Sequence, residues 1–188
     1  ETQLTELDFD VSGAAWRSDG NALAFTADEF QRDEHSYERA DIWTGSLDGQ
    51  VTRLTDDEFN YSSAAWSPDG ASIVVRGNEG LDVIIREGRD RGAPSDLFVI
   101  SADGSGTPVN LTANWDFLPG SPTWSPDGRF IYFSASVAGT SLLFRVPAAG
   151  GEVGQITTCN RSLGSPSFSA YFRTLAYTVG DATSPGDV

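Results

Sequence analysis

Methionine and lysine are absent from this chain, and cysteine and histidine occur once each. Without methionine, Glu1 is not expected to be a translation start. Without lysine, all twelve basic residues are arginine, a bias typical of GC-rich coding; against 27 acidic residues they leave a formal charge of −15 and a pI near 4.2. That balance argues against nucleic acid or an anionic membrane as a partner. A single Cys159 excludes an internal disulfide. With His35 as the lone histidine, it also leaves no ligand cluster for zinc or another transition metal. A hydrolytic triad needs a base, and His35 stands in a charged stretch from Glu29 to Arg39 that reads as a solvated loop. No Gly-x-Ser-x-Gly elbow occurs: Gly139-Thr140-Ser141-Leu142-Leu143 opens like one but ends in leucine. Asp56-Asp57-Glu58 and Asp8-Phe9-Asp10 lack the spaced oxygens of a calcium loop. No glycine-rich phosphate cradle precedes a helix, no signal peptide is visible, no apolar run reaches membrane-spanning length, and helical periodicity is weak. Neither catalytic residue, metal nor cofactor is expected in these 188 residues.

What is present is repetition. Trp66-Ser67-Pro68-Asp69-Gly70 returns unchanged as Trp124-Ser125-Pro126-Asp127-Gly128. Worn copies stand at Trp16-Arg17-Ser18-Asp19-Gly20 and Phe168-Ser169-Ala170-Tyr171-Phe172. Proline presets φ, aspartate bonds the backbone just ahead and glycine takes a left-handed conformation, so each copy makes a tight reversal between two apolar strands. The tryptophans Trp16, Trp66 and Trp124 are expected to project into the core. Arg17-Ser18 in place of Ser-Pro is expected to loosen the first turn, and the last copy to lose its turn chemistry.

A second phrase closes each unit: Leu54-Thr55, Leu111-Thr112 and Ile156-Thr157, with Leu4-Thr5 at the start. The next aromatic marker follows each threonine by 11 or 12 residues. A further tight turn, Asp48-Gly49, Asp103-Gly104 or Gly150-Gly151, precedes the closing strand. Each unit therefore reads as four strands, with the length variation between strands two and three. Four-stranded antiparallel units at this period define a β-propeller. The expected fold is all-β: a propeller fragment with three complete and two partial blades in an open arc. Residues 1–10 give the outer strand of a preceding blade, 11–57, 58–114 and 115–159 the complete blades, and 160–188 a partial one. Alternation places the two long insertions and the inter-blade connections on one rim. The second insertion carries Arg86, Arg89 and Arg91, which could clamp a substrate carboxylate or pair with another domain; against that, Glu87 and Asp90 can partner them locally on a solvated or interdomain surface. The uncovered end blades call for partners, either missing blades or further copies.

The order of Asp8-Phe9-Asp10-Val11-Ser12-Gly13-Ala14-Ala15-Trp16, Ala24-Phe25-Thr26-Ala27, Arg39-Ala40-Asp41-Ile42-Trp43, Arg53-Leu54-Thr55 and Tyr61-Ser62-Ser63-Ala64-Ala65-Trp66 resembles the propeller of the prolyl oligopeptidase family of serine peptidases, in its acylaminoacyl-peptidase branch. The tail from Leu175-Ala176-Tyr177-Thr178 through Ser184-Pro185-Gly186-Asp187-Val188 is similar to that family's final blade. The resemblance implies a parent with a Ser-Asp-His α/β-hydrolase domain, a propeller that restricts entry to short peptides, and a cytoplasmic location. No triad position carries over to these residues, so the chain alone should be inactive. The turn phrase also occurs in TolB-type propellers, which makes a protein-interaction module the alternative. A carbohydrate-active propeller enzyme fits poorly, because one histidine and no metal cluster give it little to work with.

Overall fold

The computed structural model describes residues 7–28, 37, 39–89, 94–158 and 161–180. The strands are β1 (Val11–Trp16), β2 (Ala22–Ala27), β3 (Asp41–Ser46) and β4 (Val51–Arg53), then β5 (Phe59–Trp66) and β6 (Ser72–Glu79). A short helix α1 (Leu81–Arg86) follows. The rest are β7 (Asp96–Ser101), β8 (Val109–Asn110), β9 (Thr123–Trp124), β10 (Phe130–Val137), β11 (Thr140–Pro147), β12 (Gly154–Gln155), β13 (Ser162–Phe168) and β14 (Leu175–Gly180). They form three four-stranded antiparallel meanders, β1–β4, β5–β8 and β9–β12, and a two-stranded sheet β13–β14. We call these blades I to IV. This is a four-bladed, unclosed propeller arc. The outer strand read in 1–10 lies largely outside the described residues.

Alternation along the second strands explains the stacking. In β6, Ile73 and Val75 pack towards blade I with Ala24 and Ile42, while Val74 packs towards blade III with Ile131 and Val146. All three β6 residues are fully buried. A strand covered on both faces reads as a continuous apolar run rather than an alternating one, which is what Ile73-Val74-Val75 shows. First strands sit innermost: β5 packs on β1 and on β9. Equivalent serines of blades II and III, Ser63 and Ser121, approach to 3.4 Å between hydroxyls.

All four reversals after the first strand share one backbone frame. Gly70 N donates to Ser67 O at 2.9 Å and Ser67 N to Ser72 O at 2.8 Å. Gly128 and Ser125 repeat this in blade III. In blade I, Gly20 N donates to Arg17 O and Arg17 N to Ala22 O, both at 2.9 Å. Arg17 is thus no obstacle: its Nε donates to Asp19 Oδ1, the role that Ser67 Oγ plays for Asp69. In blade IV, Phe172 N donates to Ser169 O at 2.8 Å. Phe172 takes the left-handed conformation of the missing glycine, at φ 51°. Its ring stacks on Phe168 at 4.1 Å and contacts Tyr132 at 5.2 Å. The backbone frame of both turns is kept, and blade I keeps its aspartate bonds through Asp19, while blade IV loses the aspartate's side-chain bonds as expected and retains only the backbone ones with the Ser169 Oγ contact.

The Leu-Thr phrase lies just past each outer strand and clasps the third strand. Thr55 Oγ1 donates to Asp41 Oδ1 at 2.7 Å and accepts from Ile42 N. Thr112 does the same with Asp96 and Leu97 N. In blade III, Thr157 still accepts from Leu143 N at 3.0 Å, but Leu142 stands where the aspartate was. Strands β10 and β11 are joined by Ala138-Gly139, both at positive φ, 50° and 81°, the two-residue turn that matches strand twist. Blade III accordingly has no insertion.

Candidate functional site

The meander fixes two rims. One carries the strand-one-to-two and strand-three-to-four turns; the other carries the strand-two-to-three insertions and the inter-blade connections. Candidate sites exist on both.

On the turn rim the marker tryptophans converge. Trp66 Nε1 donates to Ala15 O at 3.0 Å, and Trp124 Nε1 donates to Ala65 O at 2.9 Å. Each acceptor is the residue immediately before the preceding blade's own tryptophan. The indoles therefore lace blade to blade in one register. Sequence reasoning placed the rings in the core and missed the laces, since the acceptor is a main-chain atom 51 or 59 residues away. The expectation of burial holds for Trp124, 9% exposed, and fails for Trp16, 56% exposed. No blade among the described residues covers Trp16. Between β1, β5 and β9 these three indoles, with Ser18, Ser67 and Pro68, line an open cavity of 320 Å³. The Arg17 guanidinium lies 5.6 Å over the Trp66 ring. Pro68, Asp69 and Gly70, like Pro126, Asp127 and Gly128, form the turns flanking this mouth. Their aspartates are held by short bonds: Asp127 Oδ1 accepts from Ser125 Oγ at 2.6 Å, and its pKa falls to about 2.

On the insertion rim α1 and the arginines meet. Arg86 Nη2 pairs with Glu58 Oε1 at 2.5 Å, and Arg89 pairs with Glu79 at 2.7 Å and Glu87 at 2.9 Å. The hydrogen bonds that these guanidiniums donate, to Glu58 from Arg86 and to Glu79 from Arg89, raise the pKa of both arginines. The two guanidiniums are thus committed to different acids of blade II and its insertion rather than converging on one point; Arg91 lies outside the described residues. Nearby, Asp82 Oδ1 is buried without a hydrogen-bond partner, and its other oxygen lies 3.6 Å from Arg39 Nη1. Tyr61 donates to Asp57 at 2.7 Å, and burial, then that carboxylate, pushes the phenol upward. The same rim exposes Tyr37, Leu81, Ile85, Phe117 and Leu118. Among the described residues no group of three or more His, Cys, Asp or Glu side chains is placed to hold a metal ion. Nor is any helix there long and apolar enough to cross a membrane. His35 and Cys159 lie outside the described residues.

The architecture defines a class of protein, the β-propeller, and the solved structures similar to this chain include TolB proteins, peptidases and oligogalacturonate lyases. A protein assigned as TolB from Agrobacterium tumefaciens is 25% identical with a TM-score of 0.64; the match covers 90% of this chain and 54% of that one. The β-propeller domain of the Trilobed protease from Pyrococcus furiosus is 16% identical with a TM-score of 0.67, over 94% of this chain and 47% of that one. Pyrococcus horikoshii acylaminoacyl peptidase is 16% identical with a TM-score of 0.64, over 94% of this chain and 25% of that one. The chain thus spans about half of the first two and a quarter of the third. No protein-family model and no curated protein matches it.

Proposed function

We propose that this chain is the non-catalytic propeller portion of a serine peptidase resembling acylaminoacyl-peptidase and prolyl oligopeptidase, gating the access of short peptides to a separate α/β-hydrolase domain. The observation that carries the reading is the insertion rim. Exposed Leu81, Ile85, Phe117 and Leu118 stand there beside arginines already neutralised by carboxylates. Apolar groups ringed by satisfied charges suit a domain interface better than open solvent. In this reading the blades span 11–57, 58–114, 115–159 and 160–188, and the parent works in the cytoplasm by analogy of fold alone. Arg86 and Arg89 in this reading lie along the substrate's path, as Arg91 of the same insertion is expected to, and Arg86 or Arg89 contacts a substrate carboxylate only by releasing Glu58 or Glu79.

The test has two arms. The purified chain should not hydrolyse a chromogenic acyl-amino-acid substrate; turnover that survives a serine-reactive inhibitor sinks the reading. The coding sequence beyond Val188 should continue into an α/β-hydrolase with a nucleophile elbow, and a stop codon there sinks it equally. The alternative, a TolB-type propeller acting as a protein-interaction module, is favoured by the 25% identity to the Agrobacterium protein.

A further inference from the structure

The turn rim already holds one cation between two blades. The Arg17 side chain leaves the first turn of blade I and crosses to blade II. A Cβ on Gly70 would stand 2.9 Å from Arg17 Cδ, so the glycine makes room for the stem. The guanidinium lies 5.6 Å over the Trp66 ring, and its Nε donates to Asp19 Oδ1 at 2.9 Å. An indole and a turn aspartate thus seat one guanidinium, a pairing of flat π-surface and negative charge that suits arginine.

The next interface repeats every part except the arginine. Ser67 stands at the position of Arg17, Asp69 at that of Asp19, and Trp124 and Gly128 at those of Trp66 and Gly70. A Cβ on Gly128 would meet only the Pro68 ring, at 3.9 Å. Asp69 is exposed, and its Oδ1 accepts from Ser67 Oγ and Ala71 N, which lowers its pKa. Of the three equivalent aspartates, Asp19 pairs with Arg17 and Asp127 with Arg129, whereas Asp69 pairs with no cation among the described residues. Beside it, Trp66, Ser67, Pro68 and Trp124 line the open cavity of 320 Å³.

We propose that this cavity binds an arginine side chain presented by a peptide segment of a partner protein, its stem along Pro68 and the indoles and its guanidinium on Asp69. Charge selects the occupant, because the carboxylate at the cavity's mouth is uncompensated and the chain as a whole carries −15. The N–H groups of Trp66 and Trp124 are spent on the Ala15 and Ala65 carbonyls, so these rings offer the ligand π-surface and not donors. The site lies on the rim opposite the insertions, and its failure leaves the gating reading untouched.

Indole resonances of the isotope-labelled 188-residue chain, titrated with the blocked tripeptide acetyl-Gly-Arg-Gly-amide, test this. The Trp66 and Trp124 signals should move and saturate with a dissociation constant of about 1 mM. Those of Trp43 and Trp115, which do not line the cavity, should stay in place. The citrulline analogue keeps the shape without the charge and should move none of them. Asp69→Asn keeps the Oδ1 acceptor of the turn and should weaken binding about five-fold, the worth of one exposed ion pair. Asp103→Asn makes the same change at an outer turn and should leave binding as it was. Ser67→Arg gives blade II the cation that blade I has, within the same backbone frame. It should abolish peptide binding and keep the far-ultraviolet spectrum of the parent. An arginine peptide that leaves Trp66 and Trp124 unmoved, a citrulline peptide that binds equally, an equal loss in Asp103→Asn, or undiminished binding to Asp69→Asn or Ser67→Arg would each overturn the proposal.

Discussion

Trp66 and Trp124 do two jobs with one side chain, filling space between blades and tying the hub strands together. The two contributions separate by substitution. Trp124→Ala should cost about 3–5 kcal/mol, because a large ring in a packed core leaves a cavity. Trp66→Phe should cost about 1 kcal/mol, from the Ala15 carbonyl left unpaired. Urea midpoints check both, with an unchanged denaturant slope in each. Acid behaviour is also set at this scale. Asp19, Asp103 and Asp127 accept side-chain and backbone hydrogen bonds that hold their pKa values at about 2, below the ordinary 3.8. A carboxylate depressed in the folded state stabilises it above the unfolded pKa, and that contribution is lost as pH falls towards the folded one. The urea midpoint should therefore drop between about pH 4 and pH 2, and less steeply in Asp127→Asn. Asp41 acts in the opposite sense. Burial raises its pKa although Thr55 and Arg53 bond it. The folded chain then takes up that proton first, and the group's contribution fades as pH rises through the raised value. Asp41→Asn should remove that offset and steepen the net loss of stability on acidification, and a shallower acid drop would contradict the assignment.

At the scale of the hairpin, the last reversal is the weak member of the four. It keeps the backbone bonds but places a phenylalanine at φ 51° and has neither the proline nor the aspartate. Tyr171, at the aspartate position, is 78% exposed, so replacing it sacrifices little packing. Ala170→Pro with Tyr171→Asp should raise stability by about 0.5–1 kcal/mol, the proline by narrowing the unfolded ensemble and the aspartate by bonding Arg173 N. A thermal melt that moves downward would show that the turn frame is not shared. Gly77 in β6 marks the opposite limit. A Cβ there would stand 2.7 Å from the Tyr61 ring and 3.2 Å from Phe98. Gly77→Ala should lose about 1–3 kcal/mol by overpacking, read in the same melt. These local features explain what the sequence could and could not reveal. Turns were legible because Trp-Ser-Pro-Asp-Gly carries its own geometry within five residues. The threonine clasp was half legible: Leu54-Thr55 and Asp41 were both visible, but their hydrogen bond spans 14 residues of chain. Helix α1 escaped notice because its six residues are too few to show a helical period. The Arg89–Glu87 pair was legible because its partners are two residues apart, whereas the Arg86 pair escaped because Glu58 lies 28 residues away and is brought to it only by the path of the chain.

For the molecule as a whole, stability is a chain of nearest-neighbour terms. Two apolar clusters span the I–II and II–III interfaces, and β6 belongs to both. Blade II is the only described blade whose central strands are covered from both sides by such clusters. Among the described residues, blades I and IV are each packed against a neighbour on one side only, and blade IV shows two strands where the others show four. In an array of this kind the end units open more easily than the middle, since opening an end breaks one interface instead of two. Amide hydrogen exchange should therefore rank the strands. β6 and β7 should be protected nearly to the level of global unfolding, while β1, β13 and β14 exchange through local opening at lower free energy. Uniform protection across all four blades would mean that the arc unfolds as one unit, and the nearest-neighbour account would fail.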